Sequence, residues 1–307
     1  MSSDLFPGYS RSSVQVSGTV SIFTRLSPDT SKSPLLLLHG FPQTHVEFHK
    51  IAPELARHFT LILMDLRGYG ESSIVSSTGG SGMSKRIMAE DCIAVMKHFG
   101  YDKFSVLGHD RGARVAYRLA FDAPQHLDKV ALVDIIPTSA MYQGFGKVPS
   151  GLRGYHWLFL AQAEPFPETM IEAADKGEYF LRHTLATWTR KQDLSDFSDT
   201  ALEAYKTAFC DPTRIHMLCE DYRAGALIDN MYDLEELESG RKIDVPILAV
   251  WGDTGLFAGQ MNASFEGPLT IWQKYCHNVI GTAIPCGHFV PEEEPDALLQ
   301  AVLPFLK

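Results

Sequence analysis

The chain has 307 residues, 45% of them hydrophobic and 21% charged. These are the proportions of an ordinary globular protein, long enough for one large α/β domain or a domain with an insertion. Its 27 basic residues against 37 acidic ones leave a formal charge of −10, which argues against nucleic acid or an anionic membrane as a partner. A small anionic substrate would be repelled by the molecule as a whole and needs a local cluster of positive charge.

The first twenty residues, MSSDLFPGYSRSSVQVSGTV, hold no apolar run fit for a signal peptide. "PLLLLHG" is too short to cross a membrane and reads as a buried strand. Five cysteines, at 92, 210, 219, 276 and 286, contain no C-x-x-C pair, the usage expected of reduced, buried thiols in a cytoplasmic protein. Strands are expected at Leu35–Leu38, Thr60–Met64, Phe104–Leu107, Val130–Val133 and Ile247–Val250, with helical spacing at Met88–Phe99 and Arg111–Ala123. Residues 74–85, IVSSTGGSGMSK, read as a Gly/Ser-rich surface loop. Strands alternating with helices imply an α/β fold with a parallel sheet and helices on both faces. Active residues then belong in the loops at the carboxyl ends of the strands.

One interval breaks the rhythm. Roughly 110 residues separate the strand ending near Val133 from the one starting near Ile247, where a crossover needs only about a dozen. Helical patterns fill it, at Phe166–Ala174, Glu178–Arg190, Asp199–Phe209 and Thr213–Ala226. We therefore expect a core domain of residues 1–137 and 231–307, with a helical cap of residues 138–230 inserted over the site.

The segment Gly108-His109-Asp110-Arg111-Gly112 has the frame of a strand–turn–helix elbow in which serine is the usual nucleophile. Here the exposed position carries a carboxylate. A serine that displaces a leaving group from a saturated carbon forms an ether, which is not readily cleaved. An aspartate forms an ester, which water can hydrolyse at the aspartate's own carbonyl. Asp110 thus suits a two-step displacement on an alkyl halide or an epoxide. The second step builds an oxyanion, for which the backbone N–H groups of Phe41, in "HGFP", and Arg111 are placed. Its general base is expected at His288, in "CGHFVP" after the last strand-like run. The other histidines have blander readings: His39 shapes the oxyanion turn, His109 fills the elbow, and His45, His49, His98 and His183 are helical or on the surface.

Two aspartates that follow strands compete to orient the base, Asp134 and Asp253. Hydrolases with a W-G-x-x-D turn carry the acid at its last position, which here is Gly255. Asp134 is the expected acid, and Asp253 is read as turn chemistry. Asp65, in "DLRGYGES", is read as structural, accepting backbone bonds in a bend made by glycines. Arg111 and Arg114, three apart on the helix after the elbow, share a face. Two cations there keep Asp110 ionised and offer bidentate donors to a substrate carboxylate.

"HGFPQT", "DLRGYGES", "GHDRGAR", "LVDIIPT", "YHWLFL", "DYRAGALID" and "GHFV" occur in one order along nearly the whole chain. By that joint pattern the sequence resembles the fluoroacetate (haloacetate) dehalogenases of the α/β-hydrolase fold. The resemblance implies a nucleophile at Asp110, a base at His288, an acid at Asp134 and a carboxylate clamp at Arg111 and Arg114. It further implies a halide pocket of His156, Trp157 and Tyr222, whose N–H and O–H groups are donors to a departing halide. The implied reaction turns a 2-halo acid into a 2-hydroxy acid with no metal and no organic cofactor. Members of this family often pair as homodimers. An epoxide hydrolase would use the same Asp110–His288–Asp134 core but gives the arginine pair no task. A ligand-binding protein that keeps the pocket without turnover is the third alternative.

Overall fold

The computed structural model describes residues 4–255 and 267–307. Among them an eight-stranded sheet runs in the order β1-β2-β4-β3-β5-β6-β7-β8. The strands are β1 (Ser10–Ser17), β2 (Val20–Leu26), β3 (Pro34–Leu38), β4 (Thr60–Met64), β5 (Phe104–His109), β6 (Leu127–Val133), β7 (Ile247–Gly252) and β8 (Val279–Ile284). The β1–β2 and β2–β4 pairs are antiparallel and all others parallel. Strands β4 and β5 are buried along their whole length, which is why they read as unbroken apolar runs rather than alternating ones.

The N-terminal hairpin was not legible in the sequence. SRSSVQVS buries only Val14, and an edge strand open on both faces carries almost no apolar signal.

Helices α1 (Ala52–Leu55), α2 (Lys85–His98) and α3 (Asp110–Asp122) lie between the early strands. Between β6 and β7 come α4 (Thr138–Gly144), α5 (Val148–Arg153), α6 (Tyr155–Leu160), α7 (Phe166–Ala173), α8 (Glu178–Thr187), α9 (Asp199–Phe209), α10 (Pro212–Ala224) and α11 (Asn230–Ser239). The remainder are α12 (Pro268–Tyr275), α13 (Val290–Glu293) and α14 (Pro295–Leu306). Helices α2 and α3 pack side by side over one face of the sheet, and α1 meets α14 over the other. No helix among the described residues is long and apolar enough to cross a membrane.

Two expectations change where the inserted helices meet the sheet. The helix expected over Glu178–Arg190 stops at Thr187, and Trp188–Arg190 follow as a turn and bend that line the cavity over the site. The stretch 74–85 is more than a surface loop. Glu220 of α10 accepts bonds from Gly80 N (2.7 Å) and from the Ser77 hydroxyl, while Met83, Ser84 and Lys85 are buried. This strap passes so close to α10 that a Cβ on Gly80 would lie 2.2 Å from Ala224 N, at a φ of +85°. Gly80→Ala is therefore expected to lower the unfolding free energy by about 1–3 kcal/mol, read as a fall in the denaturant midpoint. An unchanged midpoint would mean that the strap is not docked against α10.

Candidate active site

The site is built on the carboxyl ends of β3, β5, β6 and β8. At the end of β5 the chain turns directly into α3 and puts Asp110 at a φ of +42°. Such a backbone is sterically costly for a side-chain residue. The turn is possible because glycine stands on either side of it. A Cβ on Gly108 would sit 2.7 Å from Ala113 Cα, and one on Gly112 would sit 2.2 Å from Leu38 O. Asp110 is only 6% exposed, and its Oδ2 accepts the Phe41 N–H at 3.0 Å. Burial alone would raise its carboxyl pKa, but the charges of His288, Arg114 and Arg111 outweigh burial and hold it below the usual range.

His288 follows β8, and its Nδ1 lies 2.5 Å from Asp134 Oδ2. Asp134, just beyond β6, also takes a positive φ of +51°, and its second oxygen accepts Gly252 N at 2.9 Å. With Nδ1–H given to Asp134, His288 Nε2 is left as an acceptor. It is buried and unpaired among the described residues, 4.0 Å from Asp110 Oδ2. That gap is too long for a direct bond and of a size that one water can bridge. Asp253 is instead paired with Arg190 in a half-exposed ion pair (3.0 Å). A Cβ on Gly255 would fall 3.3 Å from Asp134 Oδ2, so the two candidate positions for the acid converge on one point in space.

The arginines correct one expectation. Arg111 does not offer an open two-donor edge, because Asp221 of α10 occupies it. Arg111 Nε and Nη2 donate to the Asp221 carboxylate at 2.9 and 2.8 Å, and Nη2 also reaches the Asp221 carbonyl. Arg114 Nη1 is held by Ile136 O (3.0 Å) and the Thr138 hydroxyl (3.1 Å). Among the described residues each arginine keeps one buried nitrogen without a partner, Nη1 on Arg111 and Nε on Arg114. Burial pushes the Arg114 pKa down, whereas for Arg111 the Asp221 charge outweighs burial and raises it.

His156, Trp157 and Tyr222 come together as expected. Their ring centroids are 5.7–6.4 Å apart, and all three are buried. The Arg114 guanidinium lies over Trp157 and that of Arg111 over Tyr222, each at 4.4 Å. Burial pushes the His156 pKa down to about 3, so the imidazole is neutral and has an N–H to donate. A cavity of about 320 Å³ reaches Asp110, His288, His156 and Trp157 from outside. Arg111, Arg114, Tyr222 and Asp134 are not among the residues that line it, though Arg111 and Arg114 lie against the Tyr222 and Trp157 rings of the site.

Three further groups escaped the sequence reading. Asp221 also accepts from Tyr69 (2.6 Å) and pairs with Lys85 of the strap. Despite burial, the charges of Arg111 and Lys85 hold its carboxyl pKa far down. His109 is more than filler. Its Nδ1 faces Glu47 (3.1 Å) and its Nε2 faces the His288 carbonyl (2.9 Å). Two acceptors require two donors, which only the imidazolium supplies. Burial works against that charge, yet Glu47 outweighs it and lifts the His109 pKa to about 9. Trp188 is the third: its carbonyl accepts His288 N (2.9 Å) and its ring packs 4.3 Å from His156. Gly287 allows this crossing, since a Cβ there would lie 2.4 Å from Trp188 O. "DYR" and the "HD" of the elbow were visible signals for Asp221 and His109, but their partners lie far away in sequence.

The histidine readings also divide. His39 donates Nδ1–H to Gly40 O and accepts Leu66 N on Nε2, both at 3.0 Å, so it does shape the turn. His45 is neither on the surface nor idle, being buried between Asp65 (2.8 Å) and Arg25 (3.1 Å). Asp65 binds His45 N and Glu71 N, the structural task expected of it.

Residues 33–295 match the α/β hydrolase fold family. The chain is 36% identical to a fluoroacetate dehalogenase of Burkholderia sp, covering 98% of this chain and 95% of that protein. It is 33% identical to a soluble epoxide hydrolase of Corynebacterium sp. strain C12, covering 89% of each. Among solved structures it superposes on ALR0039 of Nostoc sp PCC 7120, a candidate α/β hydrolase. The TM-score is 0.90 at 43% identity, over 98% of this chain and 99% of that one.

Two measurements test this geometry. Asp221→Asn leaves Arg111 and Lys85 buried without their counter-charge and is expected to cost about 3–5 kcal/mol of unfolding free energy. The His109 charge, with a pKa raised from 6.5 to about 9, adds stability that is complete below pH 6.5 and lost as pH rises through about 9. Urea unfolding between pH 6 and pH 10 should show that loss, on the order of 3 kcal/mol, and Glu47→Gln should flatten it.

Proposed function

Because this chain belongs to the α/β hydrolase fold family, we propose that it hydrolyses small 2-halo carboxylic acids, haloacetates among them, to 2-hydroxy acids and halide. The observation that carries this reading is the pair of buried, unpaired N–H groups on Arg111 and Arg114 beside an ionised Asp110. Leaving such donors without an acceptor is costly, and a substrate carboxylate satisfies both. It also sets the α-carbon against Asp110 without anion facing anion.

In the first step Asp110 Oδ1 attacks the α-carbon while the carbon–halogen bond breaks. Oδ2, which accepts the Phe41 N–H, becomes the carbonyl oxygen of the ester. The halide leaves toward the His156, Trp157 and Tyr222 donors, where a neutral His156 gives a hydrogen bond without holding the anion by charge. In the second step His288 Nε2 takes a proton from water, and the hydroxide attacks the Asp110 Cγ. Asp134 stabilises the imidazolium that forms. The N–H groups of Phe41 and Arg111 hold the oxyanion. Collapse expels the alkoxide, which takes the proton from His288 and departs as the 2-hydroxy acid. Asp110 emerges protonated, and its depressed pKa returns that proton to solvent.

A second reading is an epoxide hydrolase, in which His156 and Tyr222 donate to the ring oxygen. It is favoured by the similarity to the Corynebacterium enzyme and leaves the arginine donors unused. The deciding experiment follows halide release from fluoroacetate and chloroacetate beside diol formation from styrene oxide. Halide is expected, falling about 10³-fold or more in Asp110→Asn. In His288→Ala the ester should accumulate as a mass adduct on Asp110. Diol without halide would establish the epoxide reading, and absence of any adduct in His288→Ala would favour a binding protein.

A further inference from the structure

The cavity leading to Asp110 holds far more than a haloacetate. At about 320 Å³ it falls in the range of pockets that enclose larger ligands, whereas a two-carbon acid is consumed entirely at its inner end. The outer part has a definite chemistry. Its wall is formed by Trp188, Thr189, Gln192 and Thr254, together with two cations, Arg153 and Arg190.

The two cations differ. Arg190 is neutralised by Asp253 at 3.0 Å. Arg153, the last residue of α5, has no carboxylate partner among the described residues. Its one hydrogen bond there runs from Nη1 to the Gly255 carbonyl at 3.5 Å, longer than a well-formed N–H···O bond. In a chain of net charge −10, an arginine on the wall of the active-site cavity with no carboxylate partner among the described residues is a donor fork open to an anion. The α-carboxylate of the substrate is already provided for at the other end, by Arg111 and Arg114.

We propose that the cavity takes a 2-halo dicarboxylic acid, with the carboxylate beside the halogen at Arg111 and Arg114 and the distal carboxylate at Arg153. This rests on the dehalogenase reading and extends it. The chemistry is unchanged: Asp110 displaces halide from C2, water cleaves the ester, and a 2-hydroxy dicarboxylate leaves. The polar outer wall suits a charged tail, and an apolar tail gains nothing from it.

The test compares chloride release from chloroacetate, 2-chlorosuccinate and the 2-chlorosuccinate monoester esterified at its distal carboxyl, in wild type and Arg153→Ala. The expected result is a wild-type kcat/KM for 2-chlorosuccinate at least equal to that for chloroacetate. Arg153→Ala should lower the 2-chlorosuccinate value 10- to 100-fold, mostly through KM, and leave chloroacetate and the monoester within twofold. An equal loss for all three would overturn the subsite and make Arg153 a general attractor of anions. Turnover of chloroacetate with none of 2-chlorosuccinate would overturn the subsite while leaving the dehalogenase reading intact. Chloride from none of them would overturn both.

Discussion

The buried carboxylate of Asp221 is the joint on which the architecture of this site turns. It is fully shielded from water and is reached at once by Arg111 from α3, Lys85 from the start of α2 and Tyr69 from the turn after β4. Three segments of the sheet-bearing core thus converge on one side chain of an inserted helix. A carboxylate so placed is tolerable only because each lone pair is met, and two buried cations are tolerable only because it is there. The consequences spread outward. Arg111 is turned so that only its Nη1 remains unpaired among the described residues, α10 is fixed over the elbow, and Tyr222, the next residue along, is delivered to the ring cluster.

A second ionic support lies beneath the first. Glu47 accepts from Gly40 N and from His109, and His109 in turn holds the main chain of His288. The turn that aims the Phe41 N–H and the loop that carries His288 are therefore tied to one cation. That cation also lies close enough to Asp110 to help lower its pKa. Stability and site geometry draw on the same few buried charges.

The sequence displayed whatever depended on local pattern. The central strands were legible because burial on both faces makes them continuous apolar runs. Asp110 and His288 were legible because a strand–turn–helix frame and chain order constrain them, whereas Asp134 competed with Asp253 until the glycine at 255 favoured it. The arginine pair was visible, but not its division of labour. Asp221 lies 110 residues beyond Arg111, and no periodicity records a contact at that distance. The strap 74–85 looked like solvent-facing chain because its glycines and serines serve close approach and side-chain capture by Glu220. The end of the helix before Trp188 was hidden for a similar reason, since the partner that its carbonyl meets there, His288 N, comes from the far end of the chain.

The convergence of Asp134 and Gly255 bears on how such a triad can change over time. A side chain begun at position 255 would start within 3.4 Å of both Asp134 oxygens, so the site has room for one carboxylate and two addresses from which to supply it. The addresses exclude each other: with both occupied, two acids crowd a single imidazole, and with neither, His288 loses its orientation. A lineage that moved the acid from one strand end to the other had to cross one of those defective states. With glycine at 255, the space beside the His288 imidazole is left to the Asp134 carboxylate alone among these two positions.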